Sequence, residues 1–360
     1  MTNLGIVACS SPKSVYVAQE RTIEFPLDMG KVFPKNCVAL DNRTNQEYWF
    51  KIDRESGIIN FYKLYDGDSA FSIQCPIHFS PAETYYINED SIYISEYTGA
   101  RLLLVDSKSA IKGSWEIRGE DSINISFRPN KNQSLFVTDN SIFALAAVNE
   151  DTLFRENERY PPIYEFERNS NQKILINKRA FHYARRCQND TMWYSEFISF
   201  APQNDKLYIL LANNNYIFSQ ADLGAFHIEI PRYRYDTNTG MDSAKAAERT
   251  MDMLKTLPEY GALLYDRYRD IFYRIAVNLS PLDADYNKQF SAETRLFTIQ
   301  CLNSKFQIIK EIRLLSKFYD YSSIFVCKEG LLIESNFPSP NKISFQLFPF
   351  DSYLEQLSVK

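Results

Sequence analysis

Glycine is scarce: 11 residues in a chain of 360, less than half the share usual in globular proteins. A loop that cradles phosphate on bare backbone has little material to draw on. No G-x-G-x-x-G, Walker, G-x-S-x-G or H-E-x-x-H string occurs either. Histidine is scarcer still, with 3 residues, which argues against a His-rich metal centre. The 6 cysteines (Cys9, Cys37, Cys75, Cys187, Cys301 and Cys327) contain no CxxC pair. A zinc ribbon or a thioredoxin-like site is therefore disfavoured, and any disulfide is left unassigned. Basic residues are not in excess: 40 Lys and Arg stand against 45 Asp and Glu, interspersed along the chain, for a net charge of −5. A general nucleic-acid binder needs the opposite balance against phosphate. No apolar run reaches the roughly 18 residues that a membrane-spanning helix requires.

What the chain has instead is aromatic residues, 26 Phe, 24 Tyr and 3 Trp, within a hydrophobic share of 45%. The length allows one large or two ordinary domains with a sizeable core and no need of staples. Runs of four to seven residues rich in Tyr, Phe, Ile, Val and Leu alternate with Asn, Asp and Ser turns, as β-strands do. Examples are Glu47–Ile52, Ile58–Leu64, Ser91–Ser95, Leu102–Asp106, Ile142–Ala147, Leu207–Ala212, Leu296–Gln300 and Ile343–Phe348. The turn clusters at Asp53–Gly57, Asn130–Gln133 and Asn213–Asn215 use Asn and Asp, whose side chains bond to nearby backbone and stand in for glycine.

A weak repeat runs through these strands. Ser91-Ile92-Tyr93-Ile94, Lys206-Leu207-Tyr208-Ile209 and Ser323-Ile324-Phe325-Val326 each open a three-strand unit. A period of about 40–50 residues is that of propeller blades. Six candidate blades fall near 36–80, 84–118, 121–176, 193–235, 259–313 and 320–350. The strand at Arg21–Leu27 would join the last blade and close the ring, removing open sheet edges. A β-sandwich or two separate β-domains are the competing architectures. One segment departs from the pattern: Ala244, Ala247, Met251, Leu254 and Leu257 share a helical face between a capping Asp242 and Pro258. The expected fold is thus all-β, a six-bladed β-propeller over 15–360 with one inserted helix at about 242–257.

The N-terminus reads as an address. Ile6-Val7-Ala8-Cys9 matches a bacterial lipobox, and Ser10, Ser11 and Pro12 match the tether after the lipidated cysteine. Residues 1–14 are therefore expected to be a truncated signal with its tether. Eight residues without Lys or Arg precede Cys9, too little for a basic region and an apolar stretch, so the gene is expected to begin upstream of Met1. Short Asp-Ser/Thr-apolar triplets, at Asp90–Ile92 and Asp121–Ile123 among others, resemble periplasmic O-glycosylation sites and hint at export.

The most distinctive string is Tyr260-Gly-Ala-Leu-Leu-Tyr265-Asp266-Arg267-Tyr268-Arg269-Asp270-Ile-Phe-Tyr273-Arg274, read as strand, tight turn, strand. It resembles a motif of a bacterial family of uncharacterised, TolB-like six-bladed β-propeller lipoproteins. That resemblance implies a secreted, membrane-anchored propeller in the cell envelope and carries no agreed catalytic residues. From the residues themselves, aromatics on adjacent strands pair across a sheet at about 0.2–1 kcal/mol each. Arg269 and Arg274 can stack on tyrosines or pair with Asp266 and Asp270. The functional reading makes Tyr265, Asp266, Arg269, Tyr273 and Arg274 a ligand-binding surface for a sugar or an anion.

Other chemistry is thin. Asp283, Asp285 and Asn287 alternate as in a calcium loop, but Lys288 and Thr294 stand where Gly and Glu belong, so a polar loop is the better reading. His78 and His227 lie in apolar strand contexts. His182 lies near Cys187, Arg179, Arg185 and Arg186, where a solvated basic face is expected rather than a Cys–His pair. The expectation is a binding or protein-interaction module without catalytic residues, metal or cofactor. It would be a monomer held to the membrane through lipid alone, taking a protein or carbohydrate ligand. The alternative is a metal-dependent, lactonase-like propeller hydrolase, which would need convergent acidic or amide side chains at the channel mouth.

Overall fold

The computed structural model describes residues 21–26, 35–97, 99–118, 125–127, 135–148, 163–168, 174–176, 179–180, 198–203, 206–211, 216–219, 225–227, 259–277, 295–337 and 341–349. Among them every helix or strand element is a strand. The expected helix at about 242–257 and Cys9 with its lipobox lie outside the described residues. So do the 283–287 loop, Cys187 and His182.

Two units divide the chain, Ile23–His182 and Met1–Thr22 with Tyr183–Lys360. The first described strand is β1 (Arg21–Pro26). The unit from Ile23 opens with the antiparallel meander β2 (Lys35–Leu40), β3 (Glu47–Asp53), β4 (Ile58–Lys63) and β5 (Ser69–Gln74). A second meander follows: β6 (Pro81–Asn88), β7 (Ser91–Glu96), β8 (Arg101–Val105) and β9 (Ile111–Arg118). The next sheet is irregular. Its β12 (Ser141–Val148) pairs β10 (Ile125–Phe127) over Ala146–Val148 and β11 (Leu135–Val137) over Ile142–Ala144. β13 (Ile163–Glu167) lies on its other side. β14 (Ile174–Ile176) then returns to β9 as a parallel partner, and β15 (Arg179–Ala180) pairs β13.

In the other unit β16 (Ile198–Gln203), β17 (Lys206–Leu211), β18 (Tyr216–Ser219) and β19 (Ala225–His227) form one meander. β20 (Glu259–Asp266), β21 (Ile271–Val277), β22 (Leu296–Leu302) and β23 (Ile308–Leu315) form the next. β24 (Tyr319–Cys327), β25 (Gly330–Ser335) and β26 (Lys342–Pro349) end the chain, and β1 joins them beside β26. Reciprocal side-chain hydrogen bonds between Thr22 and Gln346 fasten that pair.

Alternation along the strands places the core between consecutive sheets, because successive side chains point to opposite faces. Phe50, Ile52, Ile59, Phe61, Ile92 and Leu103 share one buried cluster between the first two sheets. Ala262, Tyr273, Ile275, Phe297, Ile299, Ile324 and Ile333 do the same between β20–β23 and β24–β26. Face-to-face packing of four-stranded antiparallel sheets is a β-propeller arrangement. Four of the sheets have four strands among the described residues, a fifth adds the parallel β14 to its four-stranded meander, and the β12 sheet is the irregular one. The aromatic excess is spent here: Phe25 stacks on Trp49 at 4.3 Å, and Phe61 on Phe71 at 4.4 Å. Each such buried side chain contributes about 1.5–3 kcal/mol by leaving water.

The turns show how the chain manages with little glycine. Asp41, Asp53 and Asp266 each end a strand and accept, through Oδ1, the backbone N–H groups two and three residues on. The residue four positions on then takes positive φ: Asn45 at 59°, Gly57 at 69° and Asp270 at 51°. Asn and Asp tolerate that region better than other side chains, so only one of the three turns needs glycine. Asp106 and Asn303 make a second shared turn, bonding N–H groups two and four residues on.

Candidate binding site

The Tyr260–Arg274 string forms the β20–β21 hairpin, with Tyr265 facing Phe272 and Asp266 facing Ile271 across the pair. Asp266 is fully buried at the strand end. Its Oδ1 accepts the N–H of Tyr268 at 2.9 Å and of Arg269 at 3.2 Å. Its Oδ2 accepts Nη1 of Arg269 and the hydroxyl of Tyr273, both at 3.0 Å. Burial first, and the Asp266 carboxylate second, push the Tyr273 hydroxyl far above its usual range. Arg269 extends the network by donating from Nη2 to the Lys328 carbonyl at 2.8 Å, in the turn after β24. Asp270 accepts from the Tyr265 hydroxyl at 2.9 Å and from Nε2 of Gln203 on β16 at 2.6 Å. The hairpin thereby joins three consecutive sheets.

Arg274 sits midway along β21 and is also fully buried. Its guanidinium lies 4.5 Å over the Tyr260 ring. Nε and Nη2 both donate to Oε1 of Gln300, at 2.8 and 2.5 Å, and Nε2 of Gln300 donates to Glu311 at 2.7 Å. Arg274, Gln300 and Glu311 are direct cross-strand neighbours on β21, β22 and β23. Nη1 of Arg274 is buried without a hydrogen-bond partner. Desolvation lowers the guanidinium pKa to about 10, and Tyr260 and Glu311 offset part of that loss. Of the five expected site residues, Asp266, Tyr273 and Arg274 face inward. Solvent reaches Tyr265 and Arg269 only in part.

A partly exposed aromatic and arginine pair lies in the other unit, outside the residues singled out from the sequence. Three turns meet there: after β3, between β5 and β6, and after β7. Ser80 Oγ donates to the Arg54 carbonyl at 3.4 Å, and the Tyr97 N–H donates to the Ser80 carbonyl at 2.6 Å. The Arg54 guanidinium stacks 4.4 Å from the centre of the Tyr97 ring. Ile77 is 86% exposed and Tyr97 40%. His78 has φ of 67°, and its carbonyl accepts from Nη2 of Arg101 at 2.9 Å. His78 is thus an exposed turn residue, not the strand residue its apolar neighbours implied. Arg101 is neutralised by Glu96 and lies 5.3 Å from the Phe79 ring. Arg54, Ser80 and Tyr97 are far apart in sequence, and only the packing of two consecutive sheets joins them. Tyr97 is exposed and Arg54 half-buried, and both are residue types enriched in binding hot spots.

Among the described residues no group of three His, Cys, Asp or Glu is placed to hold a metal ion. Burial pushes the thiols of Cys75 and Cys301 up to about 12, so both are protonated and unreactive at neutral pH. Burial also raises Tyr260 to about 12. A group whose folded pKa is raised keeps its full contribution below its unfolded pKa and loses it as pH rises through the folded one. Stability in urea is therefore expected to fall from about pH 9 for the two thiols, and from about pH 10 for Tyr260, up to about pH 12, by about 1.4 kcal/mol per pH unit for each such group. Arg274, lowered to about 10, has the opposite sign and offsets one of them.

No family model matches the sequence, and no curated protein matches it. The fold is similar to the crystal structure of a member of the DUF4221 family from Bacteroides vulgatus, with a TM-score of 0.66 at 18% identity, over 91% of this chain and 96% of that one. The likeness is one of fold. A protein of unknown function from Bacteroides caccae aligns over 81% of this chain and 84% of its own, at 12% identity and a TM-score of 0.42. Raptor from Chaetomium thermophilum aligns over 86% of this chain and 23% of its own, at 11% identity and 0.43.

Proposed function

We propose that this protein is a binding or interaction module that presents a ligand face on one end of a six-bladed β-propeller, a single domain over residues 15–360. The irregular β12 sheet is the sixth blade, which makes the blade number that of the TolB-like family the Tyr260–Arg274 string resembles, and β1 closes the ring beside β26. The protein is exported and held at the cell envelope by lipid on Cys9. The observation that carries the binding reading is the Arg54–Tyr97 stack, with Ile77 exposed on the turn whose Ser80 bonds to both residues. A half-exposed aromatic, a cation and an exposed aliphatic side chain lie on turns fixed by backbone hydrogen bonds. Such a surface offers stacking for a sugar or an aromatic side chain and a charge for a carboxylate.

The test is capture of glycans from an array, and of envelope proteins from an extract, by wild type and by Tyr97→Ala and Ile77→Asp. Ile77→Asp is at an exposed position and is expected to change stability by about 0.5 kcal/mol or less, and Tyr97→Ala also loses the stack on Arg54, about 0.5–1 kcal/mol. A ligand held by wild type and lost by both variants supports the reading. Equal capture by all three sinks it. For the anchor, the chain expressed with its upstream coding sequence is expected to incorporate a palmitate analogue, and Cys9→Ser to abolish the label. Label retained in Cys9→Ser would place the anchor elsewhere.

A further inference from the structure

The outer strand of the β20–β23 sheet has the sequence Ile-Ile-Lys-Glu-Ile-Arg-Leu-Leu over eight residues. Ile308 is 39% exposed and Ile309 44%, while Ile312 and Leu314 are only partly buried against the core. β22 pairs with one edge of this strand, and among the described residues no strand pairs with the other. The outer strand β9 of the second meander differs, since β14 covers its edge. A strand edge with apolar side chains is a template for a further strand.

We propose that this edge pairs with the same edge of a second copy of the chain, antiparallel about a two-fold axis through Ile312. In a symmetric antiparallel pair, opposed residues must lie on the same sheet face, so the axis passes through a residue rather than between two. Centring on Lys310, Glu311 or Arg313 sets like charges directly opposite each other, which is destabilising. Centring on Ile312 sets Ile312 against itself, places Glu311 opposite Arg313 twice, and brings Ile309 to Leu315. Charge complementarity therefore selects one register of these four. The strand's own geometry agrees. Its register with β22 breaks around Ile309 and is regular over Lys310–Leu315, so Ile312 lies within the regular stretch. Glu311 uses one oxygen for Gln300, and the other can face Arg313 of the second copy. This pairing replaces the monomer expected from the sequence.

The full chain, followed by sedimentation velocity over a concentration series, is expected to form a dimer. Arg313→Glu and Glu311→Arg should each run as monomers, because each places like charges opposite twice. Mixed in equal amounts they should recover the dimer, since 311 and 313 of the two variants then carry opposite charges at both contacts. Circular dichroism melts check that each variant is folded, and Arg313→Glu alone is decisive if Glu311→Arg does not fold. Independently, Ile312→Cys is expected to give a disulfide-linked dimer on mild oxidation while Lys310→Cys, opposite Leu314, does not. A monomeric wild type at all concentrations, an undisturbed Arg313→Glu dimer, or no recovery on mixing the folded variants would overturn the proposal.

Discussion

Asp266→Ala is expected to cost about 3–5 kcal/mol of unfolding free energy, the usual range when one partner of a buried charge pair is removed. Four donors converge on this carboxylate: the Tyr268 and Arg269 amides, the Arg269 guanidinium and the Tyr273 hydroxyl. Tyr273 is fully buried, so its orphaned hydroxyl finds no replacement in water. An unsatisfied buried group costs about 1–3 kcal/mol by itself. The turn also loses the bonds that hold Asp270 at φ of 51°. Asp266→Asn keeps one acceptor oxygen and is expected to lose about half as much. Asp270→Ala, at an exposed position, is expected to lose about 1 kcal/mol. Urea denaturation of the three variants orders them. An Asp270 effect equal to that of Asp266 would show that the network does not centre on Asp266.

Arg274→Ala is the second large effect, at about 3 kcal/mol, from a cavity beneath Tyr260 and an unsatisfied Gln300 oxygen. The physical question is whether the charge or the packing matters. Desolvation already weakens the guanidinium, and one of its nitrogens has no partner. Replacing a buried ion by an apolar group of similar volume is often neutral. Arg274→Met with Gln300→Leu is therefore expected to recover most of the loss, with a coupling of about 1–3 kcal/mol between the two sites. A double variant as unstable as the sum of the single ones would mean that Arg274 acts alone. Glu311 fixes the Gln300 amide so that its oxygen faces Arg274, so Glu311→Leu should lower stability even though Glu311 is exposed.

Much of the strand pattern was legible because its cause is local. The expected runs at Glu47–Ile52, Ile58–Leu64, Ser91–Ser95 and Leu296–Gln300 coincide with β3, β4, β7 and β22 to within a residue or two. The Asn and Asp turns were legible for the same reason, since an aspartate bonds to the amides just beyond it wherever it ends a strand. The site was not legible in that way. Tyr265 to Arg274 read as a surface because its residues are polar and aromatic, yet polarity does not say which side of a strand meets a neighbouring sheet. Arg274 alternates with Tyr273 and Ile275 along β21, and all three are buried because sheets cover both faces.

The sequence by itself determined the strand periodicity, the turns that work without glycine and the assignment of most aromatics to packing. These follow from side-chain spacing and short-range hydrogen bonding. Tertiary structure alone decided which polar groups are buried and which aromatics remain exposed. Arg54 and Tyr97 meet only because two sheets pack face to face, and the buried Asp266 is bonded to an Arg269 that reaches across to the turn after β24. Burial is set by contacts between residues remote in sequence, and spacing along one strand carries no record of them.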